Sequence, residues 1–220
     1  MRKLIFFIFF IFTFSEYAKG QSMPNFWSEI QAFQIQDQKK LAPRHPILFV
    51  GSSSFTKWVD IQNYFPEYPI LNRGFGGSTL LDVIRYAYDV IIKYNPKQVI
   101  IYCGENDFAY VDSVSSEQVF LRFKTLFGMI RTNFPSISID YISIKPSPAR
   151  SQLKVKFEEA NRLIENFLKS QKKAAFVNVY SSMMNKQGKI RTELFSPDKL
   201  HMNPEGYALW KKIILPYLAN

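Results

Sequence analysis

A chain of 220 residues that is 47% hydrophobic and 16% aromatic can bury the core of one ordinary domain, which excludes a disordered or low-complexity protein. Its single cysteine, Cys103, excludes an intrachain disulfide framework. The formal net charge is +10, but the basic residues are scattered in short groups such as Lys39-Lys40 and Lys211-Lys212, so no nucleic acid partner is expected.

The N-terminus stands apart from the rest. Arg2 and Lys3 precede an apolar run from Leu4 to Phe14, and the small residues Ala18 and Gly20 sit three and one positions before a cut ahead of Gln21. This is the layout of a secretory signal peptide. The run is shorter than the ~20 apolar residues that span a bilayer. Residues 1–20 are therefore read as a signal peptide. Residues 21–220 are read as one exported domain, periplasmic or secreted, with no stable membrane insertion after cleavage.

Trp27, Ile30 and Phe33 recur at helical spacing and predict a helix over Asn25 to Gln38. His45, in "PRHP", precedes the first strand and is read as a surface loop residue. Five short apolar segments bounded by turn residues read as buried strands: Ile47–Val50, Ile70–Leu71 with their neighbours, Gln98–Cys103, Ile137–Ile144 and Ala175–Tyr180. Helical patterns lie between them. "STLLDVIRYAYDVIIKY" places Leu80, Val83, Ile84, Ala87, Val90, Ile91 and Tyr94 on one face, and "SSEQVFLRFKTLFGMIRTNF" and "QLKVKFEEANRLIENFLKS" repeat the pattern. A last helix begins at Asn203-Pro204, a cap followed by Pro in the first turn, and runs to about Leu218. Alternation of apolar strands with helices predicts a parallel sheet covered on both faces.

In such sheets, ligands bind beyond the carboxyl ends of the strands. The residues that follow each strand are therefore the candidates. They are Gly51-Ser52-Ser53-Ser54, then "NRGFGGST" from Asn72 to Thr79, then Gly104-Glu105-Asn106-Asp107, then "KPSPAR" from Lys145 to Arg150, and finally "SPDKLHMNPEG" with Asp198 and His201. Acyl transfer needs a nucleophile, a base, a group that orients the base, and donors for the oxyanion. The serine cluster, His201, Asp198, the glycine-rich turn Gly74–Gly77 and the Asn106 amide supply that set. Asp198 precedes His201 by three residues, so one turn can bring its carboxylate to the ring. The residues leave the choice among Ser52, Ser53 and Ser54 open. Cys103 ends an apolar strand and is read as an inert buried thiol.

These blocks resemble, in order and spacing, the SGNH (GDSL-type) esterase and acylhydrolase family, from about Ile47 to Leu218. The resemblance implies a three-layer α/β/α sandwich, with a flavodoxin-like parallel sheet of about five strands. It implies Ser53 as nucleophile, Asp198 and His201 as its partners, and Ser53, Gly77 and Asn106 as oxyanion donors. No cofactor or metal is implied. The sequence departs from the family at Ser52, where Asp is usual, and at Ser54, where Leu is frequent.

The mouth of the site is expected to be bordered by Phe55, Phe75, Phe108, Met202 and the Lys145–Arg150 loop. No long insertion follows a strand to form a lid over an acyl tunnel. A shallow pocket with aromatic walls favours acetyl or other short-chain esters, on a small-molecule or glycan leaving group. The rivals are a lysophospholipase or lipase, a non-catalytic glycan- or lipid-binding module on the same fold, and a flavodoxin-like nucleotide or electron-transfer protein.

Overall fold

The structure is a computed structural model that describes residues 25–219. The predicted signal peptide lies outside the described residues. Five strands, β1 (Ile47–Gly51), β2 (Ile70–Gly74), β3 (Gln98–Tyr102), β4 (Ser138–Ile142) and β5 (Ala174–Val177), form one parallel sheet in the order β2-β1-β3-β4-β5. Among the described residues no helix is long and apolar enough to cross a membrane.

The sheet is buried on both faces because its strands are apolar on both. Leu48, Val50, Val99, Ile101 and Ile139 face one core, which is covered by α1 (Trp27–Lys39), α4 (Leu80–Arg85), α5 (Ala87–Val90), α7 (Ser116–Asn133) and α8 (Lys154–Lys169). Ile47, Phe49, Ile100, Tyr102 and Ile142 face the other core, under α2 (Ser53–Thr56), α3 (Ile61–Tyr64) and α9 (Pro204–Ile214). A further short helix, α6 (Glu105–Tyr110), follows β3 and sends Phe108 into the first core. The result is the three-layer sandwich expected from the alternation.

The differences from the sequence reading have local causes. The helix expected after "GGST" is broken at Tyr86, whose ring packs on Phe75 and Trp27 and whose hydroxyl donates to the Asn25 carbonyl at 2.8 Å. β5 stops at Val177, and beyond it the N–H groups of Val179 and Tyr180 both donate to the Ser143 hydroxyl at 3.0 Å, that of Val179 also to the Val177 carbonyl at 3.1 Å, instead of to a strand. The last helix ends at Ile214 and passes into a 3-10 turn over Leu215–Tyr217, since Pro216 supplies no N–H.

Candidate active site

The strand order reverses direction between β1 and β3: the chain leaves β1 toward β2 on one side and returns to β3 on the other. Ligand crevices form at such switch points, outside the carboxyl ends of the strands. The turns after β1 and β3 carry Ser53 and Asn106.

The turn after β1 is tight by necessity. Gly51 has φ +139°, and a Cβ there would lie 1.9 Å from the Tyr102 carbonyl oxygen, so only glycine fits. Ser52 N–H donates to that same carbonyl at 3.0 Å and α2 starts at once, which lifts Ser53 to the rim. The Asn72 side chain fastens the turn from β2: its Nδ2 donates to the Phe55 carbonyl at 2.7 Å and its Oδ1 accepts from Gly74 N–H at 2.9 Å.

His201 arrives from the opposite end of the chain on a hairpin. Phe195 and Met202 pair across it as an antiparallel bridge, and Ser196 N–H donates to the His201 carbonyl at 2.8 Å. Asn203 caps α9 through Gly206 N–H at 2.9 Å, and its own amide donates to the Glu193 carbonyl at 2.8 Å. The hairpin is therefore anchored at its base.

The three side chains meet in one line. Ser53 Oγ lies 2.9 Å from His201 Nε2, and His201 Nδ1 lies 2.6 Å from Asp198 Oδ2. The other carboxylate oxygen, Oδ1, accepts from the backbone N–H groups of His201 at 2.9 Å and Leu200 at 3.0 Å. Partial burial opposes ionisation of Asp198, but the His201 ring and these two N–H groups hold its carboxyl well below the usual carboxylate range. An ionised Asp198 accepts Nδ1–H, which leaves Nε2 free to accept the Ser53 hydroxyl proton.

Neither of the other two serines hydrogen-bonds to His201. Ser52 Oγ accepts from Ser53 N–H at 2.7 Å and from Asn106 Nδ2 at 2.8 Å, while Ser54 is buried and its carbonyl accepts from Tyr207 at 2.9 Å. Asn106 is held by a second bond, from Nδ2 to the Ser78 carbonyl at 3.1 Å. Gly77 lies beside it: a Cβ on Gly77 would be 3.8 Å from Asn106 Nδ2. Gly77 N–H makes no hydrogen bond to a described residue.

Some expected site residues are placed elsewhere. Phe55, Phe75 and Phe108 do not border a mouth; all three are fully buried. Phe55 packs on Phe49, Tyr102 and Trp210, Phe75 on Phe26 and Tyr86, and Phe108 on Phe157. Phe55 and Phe108 turn inward because their short helices, α2 and α6, each have one face against the core, while Phe75 turns inward from the loop that follows β2. Met202 is also buried, though it forms part of a recess of about 250 Å³ with Lys57, Asp60, Tyr64, Ser196 and Tyr207. His45 sits in a loop at the amino end of the sheet, as expected, with Nδ1 3.1 Å from the Asn95 carbonyl. Cys103 is buried, and burial pushes its thiol well above its ordinary value.

The Lys145–Arg150 loop is a brace rather than an open border. Glu105 accepts from Lys145 Nζ at 2.9 Å, from Tyr102 at 2.6 Å and pairs with Arg150 at 3.1 Å. Burial alone raises a carboxyl, but here Lys145, Arg150 and the Tyr102 hydroxyl bring Glu105 below its ordinary value. Ala149 N–H donates to the Lys199 carbonyl at 3.0 Å, which ties the loop to the Asp198–His201 hairpin. The sequence reading assigned Glu105 no role. The visible sign was a glutamate next to Asn106 in an otherwise buried turn, with Lys145 placed directly after an apolar strand.

Residues 49–209 match the GDSL-like Lipase/Acylhydrolase family. Comparison with curated protein sequences finds no match. Several solved structures share the fold. A candidate acylhydrolase from Bacteroides fragilis is 20% identical with a TM-score of 0.74, covering 86% of this chain and 95% of its own. A GDSL-like lipase from Bacteroides thetaiotaomicron is 21% identical with a TM-score of 0.72, covering 86% and 96%. A family 3 carbohydrate esterase from Clostridium thermocellum is 17% identical with a TM-score of 0.57, covering 77% and 94%. With most of its length matched, including the serine turn and the Asp-x-x-His hairpin, the chain belongs to the GDSL-like lipase/acylhydrolase family and is an ester-bond hydrolase.

Proposed function

We propose that the protein is an exported serine esterase that removes acetyl or other short acyl groups from a hydroxyl-rich, carbohydrate-like alcohol. The observation that carries this reading is the chain from Ser53 Oγ to His201 Nε2 at 2.9 Å and from His201 Nδ1 to Asp198 Oδ2 at 2.6 Å.

Ser53 Oγ attacks the ester carbonyl carbon as its proton passes to His201 Nε2. The carbonyl π pair moves to oxygen, and the oxyanion is met by Ser53 N–H, Gly77 N–H and Asn106 Nδ2. Asp198 holds the imidazole in the tautomer that accepts at Nε2 and stabilises the imidazolium. Collapse breaks the bond to the alcohol oxygen, which takes the proton from Nε2 and leaves an acyl-Ser53. Water, deprotonated by His201, then attacks the acyl carbon, and Ser53 recovers the proton as the acid departs. No step calls for a metal or cofactor.

The leaving alcohol must lie near Nε2 to receive its proton. A recess beside the His201 hairpin supports a sugar-like group on that side of the protein. Lys57, Asp60, Ser196 and Asn203 offer polar contacts, and Tyr64 and Tyr207 offer ring faces. The fold likeness to a carbohydrate esterase favours the same substrate class. Export rests on the N-terminal sequence pattern of Arg2 to Gly20 and is checked by sequencing the mature N-terminus.

The test is hydrolysis of p-nitrophenyl acetate, and acetate release from acetylated xylan, by the wild-type enzyme and by single Ser→Ala variants at 52, 53 and 54. Loss of the nucleophile costs on the order of 10⁶ in kcat. Only Ser53→Ala should show that loss. An active Ser53→Ala enzyme overturns the assignment, and efficiency that rises from acetate to palmitate with no acetate released from xylan overturns the substrate class.

A further inference from the structure

We infer that Tyr110 is the residue that limits acyl length, by walling the side of the oxyanion site opposite His201. This rests on the esterase reading above and names the residue behind its short-acyl preference.

Tyr110 ends α6, the helix that presents Asn106. The helix is fixed along its length. Asp107 Oδ2 accepts from Leu80 N–H at 2.9 Å, Asp107 Oδ1 pairs with Arg122 at 2.7 Å, and Phe108 is buried against Phe157. Tyr110 nonetheless remains 59% exposed, the one aromatic of α6 that the core does not take. Its phenol oxygen lies directly over Gly77: a Cβ on Gly77 would come within 2.1 Å of that oxygen, and 3.8 Å from Asn106 Nδ2. The phenol thus rests against Gly77, beside the oxyanion donors, in space that a side chain at 77 would contest. The Tyr110 hydroxyl has no hydrogen-bond partner among the described residues, so hydrogen bonding does not explain its position there.

The two faces of the sheet decide which part of the substrate Tyr110 meets. The carbonyl carbon carries four groups once attacked: Ser53 Oγ, the oxyanion, the alcohol oxygen and the acyl carbon. His201 comes from the face of α9, where its neighbours Phe195 and Met202 join the second core. The alcohol oxygen must be on that side to be protonated. Asn106, Gly77 and Tyr110 come from the other face, where Phe75, Leu80 and Phe108 join the first core. With the oxyanion aimed at Asn106 and Gly77, the acyl chain is the group left to extend away from His201, toward the Tyr110 ring. An acetyl methyl stops short of that ring; each further methylene is pressed against it.

The experiment measures kcat/KM for p-nitrophenyl acetate, butyrate, hexanoate and octanoate with wild type, Tyr110→Ala and Tyr110→Phe, each checked for folding by its thermal melt. One methylene accommodated in an apolar pocket is worth about tenfold or more in specificity. The hexanoate-to-acetate ratio should therefore rise by at least about tenfold in Tyr110→Ala. In Tyr110→Phe the ratio should stay near the wild-type one, because the ring is the wall. An unchanged ratio in Tyr110→Ala overturns the inference, as does a ratio that shifts equally in Tyr110→Phe. Labelling of wild-type Ser53 by a phosphonate separates the two readings. An unlabelled, inactive wild type overturns the esterase reading and this one together, whereas an active, labelled wild type with an unchanged Tyr110→Ala profile overturns the role of Tyr110 alone.

Discussion

The Ser52 hydroxyl oxygen accepts a hydrogen of the Asn106 amide at 2.8 Å. The same oxygen accepts from Ser53 N–H at 2.7 Å, and the second Asn106 hydrogen goes to the Ser78 carbonyl. Two of the three proposed oxyanion donors are therefore engaged by one neutral hydroxyl in the free enzyme. A substrate carbonyl that takes those hydrogens displaces Ser52. Asn106 keeps its bond to Ser78, and Ser53 N–H is backbone, so neither donor depends on Ser52 for its place.

Ser52→Ala should accordingly raise kcat/KM for p-nitrophenyl acetate by roughly two- to tenfold, the equivalent of one net hydrogen bond. Stability should fall by about 1 kcal/mol, as when a helix loses its N-cap side chain. Steady-state kinetics and urea denaturation read the two effects separately. A hundredfold fall in kcat would instead make Ser52 the support of the Asn106 amide.

Asn106→Ala removes a donor and leaves the Ser53–His201–Asp198 line intact. Loss of one preorganised oxyanion donor costs about 10²–10³ in kcat with little change in KM. That split is the expected result. A raised KM at unchanged kcat would move Asn106 to substrate positioning.

The acid side of the pH profile should report one ionisation. Asp198 is held well below the usual carboxylate range, so it stays ionised as pH falls and adds no ionisation of its own to that limb. In sign, Asp198's lowered value favours the folded state above its unfolded value of about 4, a contribution lost as pH falls through the folded value. Asp198→Asn keeps the shape but offers an amide to Nδ1, which favours a proton on Nε2, where Ser53 must deliver its own. kcat should drop by a factor on the order of 10⁴. A pH-rate profile showing two acid-side ionisations in the wild type, or an Asp198→Asn enzyme of normal kcat, would count against these roles.

The strands and the rim were legible because both follow from short-range pattern. The apolar runs Ile47–Val50 and Val99–Cys103 each end at a glycine, the mark of a buried strand entering a turn, and the chemical residues came directly after them. Asp198 and His201 were legible because their partnership is local, within one hairpin. The walls of the site were not. Whether Phe108 or Tyr110 faces the substrate depends on which side of a six-residue helix meets the core, and both are aromatic. The Glu105–Lys145 pair was hidden for another reason: it joins turns forty residues apart, and only the sheet order brings them together.

Glu105 is buried with Lys145, while Arg150 and Tyr102 complete its contacts. Glu105→Gln leaves Lys145 charged and without its partner, and breaking a buried pair in this way costs about 3–5 kcal/mol. Urea denaturation should show that loss. Replacing both, Glu105→Gln with Lys145→Met, removes the stranded cation and should recover most of it. A Glu105→Gln protein as stable as wild type would mean that the pair does not brace the rim.

A second buried carboxylate should give the opposite pH signature, well away from the chemistry. Asp140, on β4, is almost fully buried, accepting from Gln98 Nε2 and, at 3.3 Å, from Ser138 Oγ. Gln98 also donates to the Tyr217 carbonyl at 2.7 Å and accepts from Ala219 N–H at 2.7 Å, so this cluster fastens the C-terminal segment to the sheet. Burial pushes the Asp140 carboxyl up to about 6, against the pull of its hydrogen bonds. The folded value lies above the unfolded value of about 4, so the folded state binds the proton more tightly. Its contribution to stability is fully present below about pH 4 and is lost as pH rises through about 6. Over that window the difference amounts to roughly 2–3 kcal/mol. Asparagine keeps an oxygen for Gln98 and carries no charge at any pH. Asp140→Asn should therefore melt higher than wild type at pH 7.5, and the gap should close as pH falls to 4. Esterase activity should follow the fraction folded in both proteins, since Asp140 lies below the rim that carries Ser53. A constant gap in melting temperature from pH 4 to 7.5 would show that Asp140 is ionised throughout and balanced by its hydrogen bonds alone.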